Sequence, residues 1–89
     1  MSIVQGHAIV LFMKGTPEQP QCGYSRKIVE LLTPMKYFSV NVLDDPALKE
    51  SLKLEWPTFP QLWVKGKLVG GVDIVEELHE SGGFDDLFA

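Results

Sequence analysis

An unbroken apolar run, Ala-Ile-Val-Leu-Phe-Met at residues 8–13, leaves this 89-residue chain few ways to fold. The run is rich in β-formers, and a stretch rich in turn-forming residues follows it at residues 14–21. A strand without a polar face has to be covered on both sides, so it belongs in the centre of a sheet. The run therefore predicts an α/β domain in which helices cover the sheet.

The next two elements follow from apolar spacing. Ile28, Leu31 and Leu32 recur at helical intervals after Gly23, and Pro34 is expected to fix the end of that helix. Residues 38–42 alternate apolar and polar side chains, which predicts a second strand.

The second half of the chain carries clear start and turn signals. An aspartate followed by Pro46 predicts a helix over residues 46–54, with Leu48, Leu52 and Leu54 on its buried face. Residues 61–64 and 68–69 flank a glycine turn and predict a hairpin. Asp73 and Glu76 have the spacing of a capping box, which predicts a third helix that closes near residues 82–83.

The predicted order is β-α-β-α-β-β-α over a single domain, residues 1–89. Strands joined through a helix pair in parallel, and a closing hairpin adds an antiparallel edge, so the sheet is mixed and four-stranded, with flanking helices. This is the layout of the thioredoxin-like fold.

Composition excludes several classes of partner. The formal net charge of -4, with no basic stretch, argues against nucleic acid and anionic membranes. No apolar run is long enough to span a membrane, and a lone cysteine argues for a reducing compartment. We expect a cytoplasmic protein; a processed organellar form and a domain cut from a longer protein agree equally well with this sequence.

Cys22, the single cysteine, lies between the first strand and the first helix. The N-terminus of a helix favours a thiolate over a thiol, and Arg26 and Lys27 add positive charge nearby. One thiolate cannot form an intrachain disulfide and falls short of a protein-only zinc or iron–sulfur site. Another molecule must therefore supply the second thiol.

Three segments together resemble the single-cysteine class of glutaredoxins across nearly the whole chain. They are Lys14 with the run Cys22-Gly-Tyr-Ser25, the segment Trp-Pro-Thr-Phe-Pro at residues 56–60, and Gly-Gly-Val-Asp at residues 70–73. The sequence departs from the class at Tyr24, where phenylalanine is most common. The phenol adds a hydrogen-bonding group beside the thiol.

The resemblance implies a glutathione site. Cys22 would be the active-site thiol, and Lys14 would lower its pKa and pair with the glycine carboxylate of glutathione. Pro60 would follow a cis peptide bond that presents the main chain of Phe59 to the cysteinyl part of the ligand. Further contacts are implied for the basic residue of the second helix, Lys49 or alternatively Lys53, and for Val72 and Asp73 at the γ-glutamyl end; Asp73 could also be a purely structural cap.

Two chemistries agree with that resemblance. In the first, four thiolates bind a bridging [2Fe–2S] cluster. Two chains each give the thiolate of Cys22 as a metal ligand, and two glutathiones give the other two. The protein would then be a monomer without the cluster and a homodimer with it, and would pass the cluster to acceptor proteins in iron homeostasis. The extended loop at residues 15–21 and the Trp-Pro segment favour this carrier role.

In the second chemistry, Cys22 takes the glutathionyl group from a glutathionylated protein and is freed by another glutathione. The cysteine count does not separate the two roles, and the enzymatic one is expected to be weak. A third reading is a non-catalytic module that binds BolA-like regulators.

Overall fold

The computed structural model describes residues 6–33 and 35–83. Its strands and helices follow one another in the predicted order, with one additional 3₁₀ turn at Val42–Asp44. The strands are β1 (Ile9–Met13), β2 (Phe38–Asn41), β3 (Gln61–Val64) and β4 (Lys67–Gly70), and the helices are α1 (Gly23–Leu32), α2 (Pro46–Lys53) and α3 (Val72–Ser81).

The four strands form one mixed sheet in the order β2-β1-β3-β4. β1 pairs in parallel with β2, in a register that places Val10 opposite Phe38, and pairs antiparallel with β3. β3 and β4 form the antiparallel hairpin. The predicted thioredoxin-like layout, with the apolar run in the interior of the sheet, is therefore confirmed.

Alternate side chains of β1 enter two separate cores, one on each face of the sheet. Leu11 and Met13 pack with residues of α1 and α3, whereas Val10 and Phe12 pack with Leu52 of α2 and its neighbours. The sheet is thus covered by two helices on one face and one on the other. This arrangement fixes the carboxyl end of β1 and the start of α1, where Cys22 lies.

The start of α2 agrees with its sequence signal. The Asp45 side chain accepts a hydrogen bond from the backbone N–H of Leu48 at 3.1 Å, and Pro46 occupies the first helical position. The predicted helix ends one residue earlier than expected, at Lys53. Leu54 was predicted on the buried face, but that prediction is wrong: its side chain is 88% exposed because the chain has already left the helix.

Two further expectations are corrected. The second strand ends at Asn41 and not at residue 42, because the Asn41 side chain accepts the N–H of Leu43 at 3.0 Å and starts the 3₁₀ turn. The prediction that Asp73 caps α3 is also wrong. The helix begins at Val72 after Gly71, and no side chain caps it.

Pro34, predicted to end the first helix, lies outside the described residues; the helix itself ends at Leu32. Within residues 6–33 and 35–83, no helix is long and apolar enough to cross a bilayer.

Candidate functional site

Cys22 is the N-cap residue of α1. Its sulfur accepts the backbone N–H of Ser25 at 3.3 Å and lies 3.3 Å from the Ser25 hydroxyl. Ser25 is fully buried, and its hydroxyl also accepts the backbone N–H of Lys14 at 3.2 Å. The thiol is therefore held at the end of β1 by a residue one helical turn along its own helix.

These contacts favour the thiolate. Partial burial alone would raise the pKa of Cys22, but hydrogen bonds from the Ser25 hydroxyl and N–H and from the Tyr24 N–H, together with the Lys14 charge, lower the pKa overall. Lys14 thus has the electrostatic effect expected of it. Arg26 and Lys27 are not among the causes, and the Lys27 ammonium lies 3.1 Å from a Glu76 carboxylate oxygen.

We expect Ser25→Ala to raise the pKa of Cys22 and Tyr24→Phe to leave it nearly unchanged. The first change removes the hydroxyl hydrogen bond to sulfur, whereas Tyr24 acts on the thiolate through its backbone N–H, which phenylalanine retains. Ultraviolet thiolate absorbance against pH measures both. The wild-type thiolate persists to lower pH than that of Ser25→Ala. A Tyr24→Phe shift as large as that of Ser25→Ala would contradict the assignment.

The loop before Cys22, residues 15–21, is fixed by its own main chain. Gln21 N–H donates to the Lys14 carbonyl at 2.8 Å, and Thr16 and Gln19 exchange backbone hydrogen bonds. Gly15 N–H donates to the Asn41 side chain at 2.9 Å, which ties the loop to the neighbouring strand. The loop therefore presents Lys14 and Cys22 in a defined arrangement.

A groove with a volume of about 520 Å³ opens beside this thiol. Lys14 and Tyr24, which flank Cys22 along the chain, line it, and Tyr24 is 69% exposed. Lys49 and Lys53, one helical turn apart on α2, also line the groove. Three lysines on one groove make a local positive charge in an otherwise acidic chain, and such a site attracts carboxylates.

The other lining comes from two connections. Residues 56–60 form one wall, and their Phe59–Pro60 peptide bond is cis, as the resemblance implies. The Phe59 side chain is buried in the core, which leaves its main chain as the polar part available to the groove.

Gly71, Val72 and Asp73 complete the lining at the N-terminus of α3. A Cβ on Gly71 would lie 3.2 Å from the Trp56 indole nitrogen, so these two segments are closely packed. Because no side chain caps α3, its first N–H groups and positive dipole end are available to an anion.

The structure thus brings most of the sequence-predicted residues to one groove. Cys22 is not among the lining residues, but Tyr24, two residues after it, and Lys14, whose charge lowers the Cys22 pKa, are. Lys49 and its alternative Lys53 both line the groove, so that choice stays open on position alone. Trp56 lines the groove as well. Gln61 received no role, although a buried glutamine between a proline and an apolar run is the kind of signal that marks a polar network.

Cys22 has no metal-binding companions in the part of the chain that the structure describes. Among residues 6–33 and 35–83, no group of three or more His, Cys, Asp or Glu side chains could hold a metal ion. The sequence contains no second thiol. This donor set fits a thiophilic metal centre only as one ligand of several, the others coming from outside the chain.

Sequence comparison relates the chain to known proteins. The family model described as Glutaredoxin matches residues 9–69. A probable monothiol glutaredoxin 2 of Rickettsia typhi is 46% identical over 88 residues, which cover 94% of this chain and 79% of the relative. Monothiol glutaredoxin-S11 of rice is 50% identical over 90 residues, 97% of this chain. The chain spans only 18% of that rice protein, and 37% of the similar monothiol glutaredoxin-4 of Schizosaccharomyces pombe.

Solved structures agree with the fold. Reduced apo GrxS14 of poplar matches with a TM-score of 0.82 and 43% identity, over 96% of this chain and 82% of that one. A buckwheat glutaredoxin, solved as a complex with glutathione, matches with a TM-score of 0.82 and 24% identity, over 97% of this chain and 80% of that one.

Proposed function

The chain belongs to the glutaredoxin family and, with its single cysteine, is of the monothiol type; from this premise we propose that it binds glutathione and carries a [2Fe–2S] cluster. The observation that carries the proposal is the stabilised Cys22 thiolate beside a groove with three lysines and an open helix N-terminus. The cluster is cargo to be delivered to acceptor proteins.

The charges of glutathione, and the order of its three residues along the molecule, match the groove. Its glycine carboxylate would lie among the lysines, its cysteinyl part would hydrogen-bond the main chain of Phe59, and its γ-glutamyl carboxylate would meet the N–H groups at the start of α3. Asp73, freed from a capping role, would pair with the ligand's ammonium group. The ligand sulfur would then lie next to Cys22.

The single thiol of the chain is compatible with a shared cluster. A [2Fe–2S] centre takes four thiolates, and this chain supplies one, half-buried and close to the groove. Two chains and two glutathiones complete the set, so the cluster-bound form is a homodimer and the cluster-free form a monomer. Glutathione exchanges readily, which would allow the cluster to leave for an acceptor protein.

Anaerobic reconstitution with iron, sulfide and glutathione tests this proposal. Visible absorbance and oligomeric state are followed together, and the expected product is a coloured dimer that returns to a colourless monomer when glutathione is withdrawn. A chain that takes up no iron under these conditions, yet rapidly deglutathionylates a model disulfide, would not be a carrier.

A second candidate function is favoured by the lowered pKa of Cys22. A lower pKa increases the thiolate fraction of Cys22, and the thiolate can attack the glutathionyl sulfur of a mixed disulfide, take the glutathionyl group, and release the target protein as a thiolate. A second glutathione then attacks the Cys22 mixed disulfide and leaves as oxidised glutathione. Turnover of a glutathionylated peptide, measured on the cluster-free monomer, quantifies this activity. If neither activity is found, the remaining role is a docking module, with BolA-like regulators as the partners to assay.

We expect Lys49→Ala to weaken glutathione binding more than Lys53→Ala. The Lys53 ammonium lies 3.8 Å from a Glu50 carboxylate oxygen, which offsets part of its charge, and Lys49 is the residue that the resemblance favours. Loss of one exposed ion pair is worth up to about 1 kcal/mol, or roughly fivefold in affinity.

The measurement is the glutathione preference of Cys22. This is the equilibrium constant for its exchange with oxidised glutathione, divided by that for hydroxyethyl disulfide, which carries no carboxylate. As a matched ligand, the disulfide of glutathione glycyl ethyl ester lacks the glycine carboxylate and should be insensitive to Lys49→Ala. Equal sensitivity to the ester and the acid would remove Lys49 from the carboxylate site.

A further inference from the structure

Gln61 is a polar side chain in a strand whose residues are all buried, and its own exposed fraction is 0%. Its amide nitrogen donates to the carbonyls of Leu52 at 3.1 Å and Trp56 at 3.0 Å, and lies 3.5 Å from that of Thr58. Its amide oxygen accepts the indole N–H of Trp63 at 3.1 Å. Every polar atom of this buried side chain therefore has a partner.

The chemistry of these partners fixes the orientation of the amide. Carbonyl oxygens only accept hydrogen bonds and an indole N–H only donates, so the nitrogen must face the carbonyls and the oxygen must face Trp63. A buried amide with both functions satisfied costs little. Losing its donors would leave the partly buried Trp56 carbonyl without this partner.

The carbonyls that accept these hydrogen bonds belong to the segments that form the walls of the groove. Leu52 lies in the last turn of α2, the helix that carries Lys49 and Lys53. Trp56 and Thr58 both line the groove, and the Trp56 indole packs against Gly71 at the start of α3. One amide therefore ties the lysine-bearing helix to the residue 56–60 wall and, through Trp56, to the anion-binding helix end.

Gln61 itself is not among the residues that line the groove. We propose that Gln61 is a positioning residue: its buried amide holds α2 and the residue 56–60 wall at the spacing that glutathione requires, without touching the ligand. This inference rests on the proposed function, because it assigns the spacing to glutathione.

A purely structural role makes a different prediction from a positioning role. If the amide only contributes stability, its loss lowers the free energy of unfolding but leaves the groove of the remaining folded molecules unchanged. If it sets the groove, the folded molecules bind glutathione less well. Cys22 provides an internal reference in either case, because its sulfur is held by Ser25, whose hydroxyl accepts the backbone N–H of Lys14, and neither residue belongs to α2 or to residues 56–60.

The test compares Gln61→Met with Trp63→Phe. Methionine keeps the length of glutamine but removes its donors to the groove wall, whereas Trp63→Phe removes the one hydrogen bond on the opposite side of the amide and leaves those donors in place. Each variant is assayed for thermal stability, for the pKa of Cys22 and for the glutathione preference defined above.

We expect both variants to lose stability and only Gln61→Met to lose glutathione preference, by about tenfold, with the hydroxyethyl disulfide constant and the Cys22 pKa little changed. An undiminished preference in folded Gln61→Met, or an equal loss in Trp63→Phe, would overturn the positioning role alone. A wild-type protein without any preference for glutathione would overturn the proposed function and this inference with it.

A measurement on the unmutated protein covers the case in which Gln61→Met does not fold. The Gln61 side-chain amide resonances are expected to shift when Cys22 carries a glutathionyl group and not when it carries a mercaptoethanol group. Identical resonances in the two adducts would overturn the proposal.

Discussion

Replacing Cys22 with serine is expected to abolish both glutathionyl exchange and iron uptake while leaving the fold intact. The hydroxyl does not ionise near neutral pH, and it cannot form the mixed disulfide or ligate a thiophilic metal. Serine is, however, a favoured N-cap residue, and its oxygen can accept the Ser25 N–H that the sulfur accepts now. Stability should therefore stay within about 1 kcal/mol of wild type.

This substitution separates chemistry from folding more cleanly than most active-site changes. Thermal denaturation verifies the fold, mass spectrometry after incubation with oxidised glutathione measures the adduct, and absorbance after reconstitution measures iron. Ser25→Ala is the matched control: it keeps the thiol, so it should still form the adduct, at a rate reduced near neutral pH by its higher Cys22 pKa. Glutathionyl transfer or iron uptake that survives in Cys22→Ser would place the chemistry on another residue.

The order of elements was predictable because each depends on local signals. The apolar run of β1 sets the centre of the sheet, and the Asp45 cap with Pro46 sets the start of α2. Element ends were less predictable, since they depend on side-chain hydrogen bonds that compete with the local pattern. Asn41 ends β2 by capping a 3₁₀ turn, and the capping-box spacing at Asp73 is not used because the N-cap of α3 is Gly71, two residues earlier.

The residues that line the groove were largely predictable from the motifs. The buried residues whose hydrogen bonds hold them in place were not. The Ser25 hydroxyl contacts the Cys22 sulfur, and the Gln61 amide contacts carbonyls of another segment. A local pattern can suggest that a polar side chain is buried, but it does not show which partners that side chain meets in the folded chain. Likewise, nothing local distinguishes Lys27, which lies beside Glu76, from Lys14, whose charge acts on the thiol.

The second large effect is expected from Gly15→Ala, which should lower the free energy of unfolding by about 3 kcal/mol, combining left-handed backbone strain with overpacking. Gly15 has a φ of +92°, and an added Cβ would lie 2.5 Å from the Gln19 carbonyl oxygen and 2.7 Å from the Gln21 nitrogen. Both are main-chain atoms of the loop that precedes Cys22, so these contacts cannot be relieved by a side-chain rotation. The surviving folded protein should also show a higher Cys22 pKa, because the strained loop connects Lys14 to the thiol.

Substitutions at two other glycines separate the cost of backbone strain from the cost of overpacking. Gly82→Ala places a Cβ in open space at a φ of +78°, so it should cost only the backbone strain, about 1 kcal/mol. Gly23→Ala meets nothing within 4 Å in the first turn of α1 and should stabilise the protein by roughly 0.5–1 kcal/mol. Urea denaturation of the three variants gives the ranking directly. If Gly15→Ala costs no more than Gly82→Ala, the loop yields to the added methyl group, and its main-chain hydrogen bonds are not what holds Lys14 beside Cys22.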